Sequence, residues 1–343
     1  MGMVPGGRLS RWARALEGAG RDGAPGRAEG GTVATVSGGG AARVVLGLSA
    51  VIVAVTGEQP RILTVGPAPC ALPSGTLDPG GDRTLERALR RWVAEQTGID
   101  LGYVEQLYSL GDRDRGPVEG ERLVTVAYLA LVREGPVPAR SGARWRNWYD
   151  FFPWEDFREG PPPGMEESIV PSLERWSAAG DQAGREARRE RLEIHFGRGG
   201  SLWDVERVLE RYELLYEAGL VPEAGRAEEG VPGEAMAFDH RRIAAQALGR
   251  LRGKLRYRPV VFELLGPAFT LGRLQRVVEA LSGVRLHAQN FRRLVARGGL
   301  VEPTGGVDNS TGGRPAAEYR FRREVLRERP APGVGLPGLR TSG

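Results

Sequence analysis

The residue types with the clearest chemical meaning lie in segment 75–99, where helical spacing brings Trp92, Glu95 and Gln96 together. Positions i, i+3 and i+4 of a helix project from one face. Three carboxylates so placed would hold a hard cation such as Mg²⁺, which prefers oxygen ligands. Here the face offers one carboxylate, Glu95. The residue types therefore disfavour a metal site that would polarise a phosphate and activate a water.

The other carboxylates near this helix are poorly placed to complete such a site. Glu86 is nine residues from Glu95, which is about half a turn out of phase at about 3.6 residues per turn. Asp78 and Asp82, in the preceding loop, are the nearby carboxylates that could replace the missing ligands. They keep open the alternative of a hydrolase whose metal site has moved.

Segment 75–99 resembles a Nudix box, the signature of hydrolases of nucleoside diphosphate derivatives. That signature runs Gly, five residues, Glu, seven residues, then Arg-Glu-aliphatic-any-Glu-Glu-any-Gly-aliphatic. The chain departs from it at two glutamate positions, which hold Trp92 and Gln96, while the matching residues are Arg91, Val93, Glu95, Gly98 and Ile99. The resemblance implies a domain that still binds a nucleoside diphosphate. Glu95 would be catalytic, and Mg²⁺ needed, only if the chain is a hydrolase; otherwise no cofactor is required.

A charged turn at residues 112–115 is a further candidate for diphosphate binding. Arg113 and Arg115 could each bind a phosphate through two parallel hydrogen bonds, although a solvated loop has the same composition. Together with Arg91 and Glu95, they form the predicted ligand-binding set.

Composition limits the class of protein. A chain of 343 residues has room for two domains. Cys70 is the only cysteine, so an intrachain disulfide is excluded. The longest apolar run, residues 44–55, is too short to span a bilayer, and no signal peptide is recognisable. The three histidines are too far apart in sequence to suggest a zinc site. We therefore expect a cytoplasmic protein with no membrane contact and no resident metal.

Charge is distributed unevenly along the chain. Residues 241–330 hold nineteen Lys and Arg against seven Asp and Glu, a local charge of +12, whereas the whole chain carries +5. The remainder therefore carries −7. A basic C-terminal module on an acidic body is the electrostatic pattern expected of a nucleic-acid-binding protein.

The N-terminal two thirds of the chain show alternating strand and helix patterns. Residues 44–55 and 61–65 predict a β-hairpin, residues 84–97 a helix capped by Thr84 and Gly98, and residues 103–110 and 122–133 two more strands. An aromatic cluster follows, which we interpret as a core or interface element: Trp145, Trp148, Tyr149, Phe151, Phe152, Trp154 and Phe157. Helical apolar spacing after Ser201 predicts a helix starting there, and residues 221–235 predict a linker.

The C-terminal module predicts three helices and a two-stranded wing. Asp239 and Thr270 are the expected caps of the first two helices, and the third runs from about His287 to Arg297 with Ala288, among others, on its buried face. The strands, 300–304 and 317–321, complete the order of a winged helix, whose third helix enters the major groove. The predicted DNA-binding residues are His287, Gln289, Asn290, Arg292, Arg293, Arg297 and, in the wing loop, Arg314. A basic dimerisation or RNA-contacting domain is the alternative.

The order of these parts is similar to that of the Nudix-related transcriptional regulators, of which the repressors of NAD biosynthesis are the best-known group. The segments that carry the resemblance include LYSLGDRDR (107–115), FTLGRLQRVVEAL (269–281), QNFRRLVARGGLVEPTG (289–305) and GRPAAEYRF (313–321). It implies a sensor for ADP-ribose or another nucleoside-diphosphate metabolite, and a homodimer that binds double-stranded DNA.

The predicted fold is α+β: a Nudix-like α/β/α sandwich with a C-terminal winged helix-turn-helix domain. The alternative functions are an active Nudix pyrophosphohydrolase with an appended nucleic-acid-binding domain and, less in keeping with the +12 charge, a protein-binding adaptor. The predicted segments are a disordered tail (1–41), the sensor domain (42–160), a helical insertion and linker (161–236), the winged-helix domain (237–329) and a second disordered tail (330–343).

Overall fold

The computed structural model describes residues 43–111, 121–225, 231–309, 315–330 and 332–334. The predicted N-terminal tail and the candidate residues Arg113, Arg115 and Arg314 lie outside the described residues, so those expectations stay predictions. No helix in the described part is long and apolar enough to cross a membrane.

Among the described residues, six strands form one mixed sheet in the order β4-β5-β1-β2-β6, with β3 pairing to β1. The long central strand β1 runs parallel to β5 and antiparallel to β2 and β3. The bounds are β1 Arg43–Thr56, β2 Gln59–Thr64, β3 Ser74–Thr76, β4 Tyr103–Leu110, β5 Glu121–Leu131 and β6 Arg144–Asn147. The predicted hairpin and the following strands are confirmed.

Helix α1, Leu85–Thr97, covers one face of this sheet. Side chains of a strand alternate between its two faces, and Leu48, Ala50 and Ile52 of β1 point to the α1 side. There they share an apolar layer with Ala88, Leu89 and Val93 of the helix, all fully buried.

The opposite face of the sheet is covered by the aromatic segment and by further helices. Val51 and Val53 of β1 lie in a core that includes Trp148, Phe152 and Trp154, so the predicted core role of the aromatic cluster is confirmed. The helices that share this core include α2 Val170–Ser177, α3 Gln182–Phe196, α4 Val208–Glu217 and α5 His240–Tyr257. Helices on both faces of the sheet make the predicted α/β/α sandwich.

The predicted helix start at Ser201 is wrong, because α4 begins at Val208. Residues 201–207 instead bring Trp203 into the core, where its ring centroid lies 4.6 Å from that of Phe157 and 6.2 Å from that of Phe196. Burial of this large side chain outweighs the helical periodicity, and the exposed position of Leu202 follows from the same turn.

The C-terminal module has the predicted order of a winged helix. Its elements are α5, then β7 Phe269–Thr270, α6 Leu271–Ser282, α7 Ala288–Gly298, β8 Val301–Asp308, β9 Ala316–Phe321 and α8 Val325–Glu328. In the described residues, strands β7, β9 and β8 form a three-stranded sheet. Thr270 caps α6 as predicted, its hydroxyl accepting from the backbone N–H of Arg273, and Gly283 ends that helix.

Two details of the module differ from the sequence expectations. Asp239 occupies the N-cap position of α5 without making a side-chain cap hydrogen bond, because its carboxylate accepts from Arg242 instead. Ala288 is exposed rather than buried, since it lies in the first turn of α7, ahead of the buried pair Phe291 and Val295.

Candidate ligand site and nucleic-acid interface

Helix α1 begins and ends where its capping residues place it. The Thr84 hydroxyl accepts from the backbone N–H of Arg87, and Gly98 adopts the left-handed conformation (φ 70°) that closes many helices. These two caps set the ends of the helix, and burial of Ala88, Leu89 and Val93 against the sheet sets the direction of the face that carries Trp92, Glu95 and Gln96.

Trp92 binds the chain's own strand β3. Its indole N–H donates to the carbonyl oxygen of Thr76 at 2.8 Å. The ring lies over Gly75 so closely that a Cβ added there would sit 2.2 Å from ring atoms. Gly75 thus allows the indole to occupy the space beside the helix.

Gln96 binds the same strand one turn further along. Its side-chain oxygen accepts from the Ser74 backbone N–H at 3.1 Å, and its side-chain amide donates to the Ser74 carbonyl oxygen at 2.6 Å. The residues at the two altered signature positions therefore act together as a clamp between α1 and β3.

Arg91 is held by the loop that precedes the helix. Its guanidinium donates two hydrogen bonds to Asp82, at 2.8 and 3.2 Å, and lies 3.6 Å from Glu95. These hydrogen bonds hold the pKa of Asp82 below its usual range. The Glu95 side chain is half-exposed. The structure thus brings Arg91 and Glu95 together, as the ligand-binding prediction requires.

The residues around Glu95 do not fit a Mg²⁺ ion. Within the described residues, no group of three or more His, Cys, Asp or Glu could hold a metal. The amide of Gln96 is occupied by Ser74, and the Asp82 carboxylate by Arg91. The Asp78 carboxylate accepts from the backbone N–H of Gly80 and so closes the loop.

Helix α7 presents a different surface. The predicted DNA-binding residues of α7 and its N-cap position are all exposed in the described chain: His287, Gln289, Asn290, Arg292, Arg293 and Arg297. No described acidic residue forms an ion pair with Arg292, Arg293 or Arg297. A polar face that remains free can offer donors and acceptors to base edges and phosphates.

Half of the other basic side chains of the module form ion pairs with acids outside it, which adds a second role to its +12 charge. Arg250 and Lys254 of α5 pair with Glu105 of β4. Other basic residues of the module form similar ion pairs with acids that precede residue 241. Including Arg250 and Lys254, the basic residues of the described chain that do so are Arg241, Arg242, Arg250, Arg252, Lys254, Arg256, Arg276 and Arg285. The charge asymmetry therefore also holds the acidic body and the basic module together.

The most buried of these ion pairs are formed by Glu155, and no pattern in the sequence indicated them. Its carboxylate accepts from Arg211 of α4 at 2.6 and 2.9 Å and from Arg252 of α5 at 2.6 Å. All three side chains are at most 1% exposed. The remaining donors of Arg252 reach main-chain oxygens of Glu155, Val205 and Leu281. One carboxylate thus ties together the aromatic segment, the middle helices and the module.

His240 makes a second, uncharged contact between the module and the rest of the protein, at the start of α5. Its Nδ1 accepts from the backbone N–H of Leu72 at 3.0 Å, and complete burial lowers the pKa of the imidazole to about 4. The neutral ring therefore fixes the beginning of the C-terminal module against the loop that leads into β3.

Two family models match the chain in the order of these regions. The NUDIX domain matches residues 46–175, and the NrtR DNA-binding winged helix domain matches residues 261–321. The chain thus combines, in one sequence, the two domains expected of the Nudix-related transcriptional regulators. The resemblance drawn from the sequence is confirmed, and the clamp at Trp92 and Gln96 lies within the NUDIX domain.

Similar proteins agree with that architecture. The ADPR responsive transcriptional repressor NtrR of Acinetobacter baylyi is 27% identical over 253 residues, which is 73% of this chain and 69% of that protein. The crystal structure of Shewanella oneidensis NrtR complexed with a 27mer DNA shares the fold, with a TM-score of 0.50 and 23% identity, over 82% of this chain and 95% of that one.

Proposed function

We propose that this protein is a transcriptional regulator that binds double-stranded DNA as a homodimer through α7 and senses a nucleoside-diphosphate metabolite in its NUDIX domain without hydrolysing it. The observation that carries the proposal is the face of α7, where exposed amide and guanidinium groups lie next to a winged-helix sheet. ADP-ribose is the first candidate ligand, because the Acinetobacter baylyi relative is named as responsive to it.

The contacts at α1 support sensing without hydrolysis. The clamp uses the two positions at which the Nudix signature supplies carboxylates, and the nearby Asp82 is engaged by Arg91. A metal-dependent hydrolysis needs several oxygen ligands around one ion. We infer that the domain keeps a diphosphate-binding surface, with Arg91 as one contact.

The coupling of the two functions is tested by titrating ADP-ribose into the complex of the protein with a DNA duplex. Binding at two coupled sites is reciprocal, with a typical coupling free energy of about 1–3 kcal/mol. We expect ADP-ribose to shift DNA affinity by roughly 5- to 150-fold, and DNA to shift ADP-ribose affinity by the same factor. ADP-ribose that binds tightly while DNA affinity stays constant would contradict its role as the sensed ligand.

The absence of hydrolysis is tested with ADP-ribose and nucleotide sugars in the presence of Mg²⁺ or Mn²⁺. We expect no turnover approaching the ordinary enzymatic rate of about one per second. The matched variant is Glu95→Gln, which removes the half-exposed carboxylate and leaves the clamp intact. Robust turnover by the natural chain that Glu95→Gln abolishes would establish the hydrolase alternative instead.

A further inference from the structure

The turn between β1 and β2 touches the helix-turn-helix motif formed by α6 and α7. The Glu58 carboxylate lies 3.2 Å from Nε of Arg276, on α6, and 3.8 Å from Nη1 of Arg285, in the turn before α7. Arg285 also reaches Glu159 at 2.6 Å and Glu279 at 3.2 Å. The NUDIX domain therefore places an acidic side chain directly on the DNA-binding motif.

Glu58 occupies a backbone conformation that does not suit it. Both turn residues have positive φ, 57° at Gly57 and 62° at Glu58. Two-residue hairpin turns of this kind favour glycine or asparagine, because a longer side chain is strained in the left-handed region. A strained residue at such a place points to a role for its side chain, and that side chain makes the two contacts with arginine.

Arg276 and Arg285 are placed where a helix-turn-helix meets the DNA backbone. The first helix of the motif crosses the backbone, while the N-terminal residues of the second helix contact base edges. The two arginine side chains are 40% and 50% exposed, and that of Glu58 is 48% exposed. Ion pairs as exposed as these are weak, so Arg276 can turn from Glu58 to a phosphate. Arg285 can do so when it also leaves Glu159 and Glu279.

We propose that Arg276 and Arg285 are phosphate-contacting residues of the DNA-binding motif, and that Glu58 of the NUDIX domain competes with DNA for them. The inference rests on the proposed DNA-binding function. It couples the sensor domain electrostatically to the DNA-binding motif, since movement of the β1–β2 turn away from α6 would release Arg276 and remove one of the three acidic partners of Arg285.

The experiment measures binding of the full chain to a random-sequence duplex over a range of salt concentrations, because binding to phosphates does not depend on sequence. Glu58→Gln should bind about 3- to 10-fold more tightly than the natural chain near physiological salt. The slope of log affinity against log salt should steepen by up to about 0.9 for each additional phosphate that the released arginines neutralise. Arg276→Ala and Arg285→Ala should each weaken binding and make that slope shallower.

Three further variants separate competition from other effects. Glu58→Gly removes both the charge and the backbone strain, so it should match the DNA affinity of Glu58→Gln while raising Tm. Glu206→Gln breaks a comparable exposed pair with Arg256 of α5, and should leave DNA affinity unchanged. In the Arg276→Ala/Arg285→Ala background, Glu58→Gln should not tighten binding, because the groups it releases are absent.

The proposal is overturned if Glu58→Gln binds no more tightly than the natural chain, or if its tighter binding persists without the two arginines. Weaker binding by Glu58→Gln would show that Glu58 positions the motif for DNA. If neither the natural chain nor any of these variants binds DNA, the proposed DNA-binding function itself fails, and the competition with it.

Discussion

The arginines of the C-terminal module fall into two groups with different surroundings. Arg252 is buried, and its guanidinium donors reach a carboxylate, a tyrosine hydroxyl and main-chain carbonyls. Arg292 and Arg293 of α7 lie in solvent, without an acidic partner in the described chain. The same residue type therefore holds the module against the rest of the protein in one place and is available to bind DNA in the other. A segment's net charge does not distinguish these two uses.

The largest expected effect on the buried, ion-paired arginines is that of Glu155→Gln. The amide cannot neutralise Arg211 and Arg252, so two buried positive charges lose their counterion. Breaking a buried pair in this way costs about 3–5 kcal/mol of the free energy of unfolding, which denaturant titration measures. As a control, Glu206→Gln removes an exposed pair and should cost about 0–1 kcal/mol. Equal costs for the two substitutions would mean that the charges around Glu155 are not buried in solution.

The buried, uncharged contact of His240 should make the free energy of unfolding depend on pH. The folded chain holds the imidazole pKa at about 4, below its ordinary value of 6.5. Between these values the unfolded chain binds a proton that the folded chain does not, so stability is full above about pH 6.5 and falls as the pH drops towards 4. The expected loss is about 2–3 kcal/mol from this group.

The variant His240→Asn isolates that contribution. Asparagine offers an acceptor oxygen to the backbone N–H of Leu72 but does not titrate in this range. Its unfolding free energy should therefore vary less between pH 6.5 and 4 than that of the natural chain. His195, half-buried with a pKa of about 4, titrates in both proteins and cancels in the comparison. Identical pH profiles would show that the His240 ring is protonated without unfolding.

Substitution of a solvent-exposed arginine should lower the affinity for DNA and leave the free energy of unfolding nearly unchanged. Arg293→Ala should cost about 1–3 kcal/mol on a preferred DNA site and relax selectivity at one or two base pairs. Its unfolding free energy should change by no more than about 0.5 kcal/mol, as is usual for an exposed side chain. Equal losses on preferred and scrambled duplexes would place Arg293 on phosphate and remove it from base recognition.

Local patterns in the sequence predicted most of the elements. The strand at 103–110 has the observed bounds, and α1 begins after Thr84 and ends before Gly98. The exposed face of α7 followed from the spacing of Phe291 and Val295. These features depend on caps and periodicity, which operate within a few residues, so a single sequence determines them.

Contacts between distant segments were decided by the tertiary structure. Periodicity placed a helix start at Ser201, but the packing of Trp203 against Phe157 and Phe196 delayed it to Val208. The sequence showed which carboxylates the Nudix helix lacks, whereas the fold showed that Trp92 and Gln96 bind β3. The pairing of Glu155 with arginines 56 and 97 residues away had no local signature. Burial and pairing of charge depend on which segments meet, and a one-dimensional pattern does not carry that information.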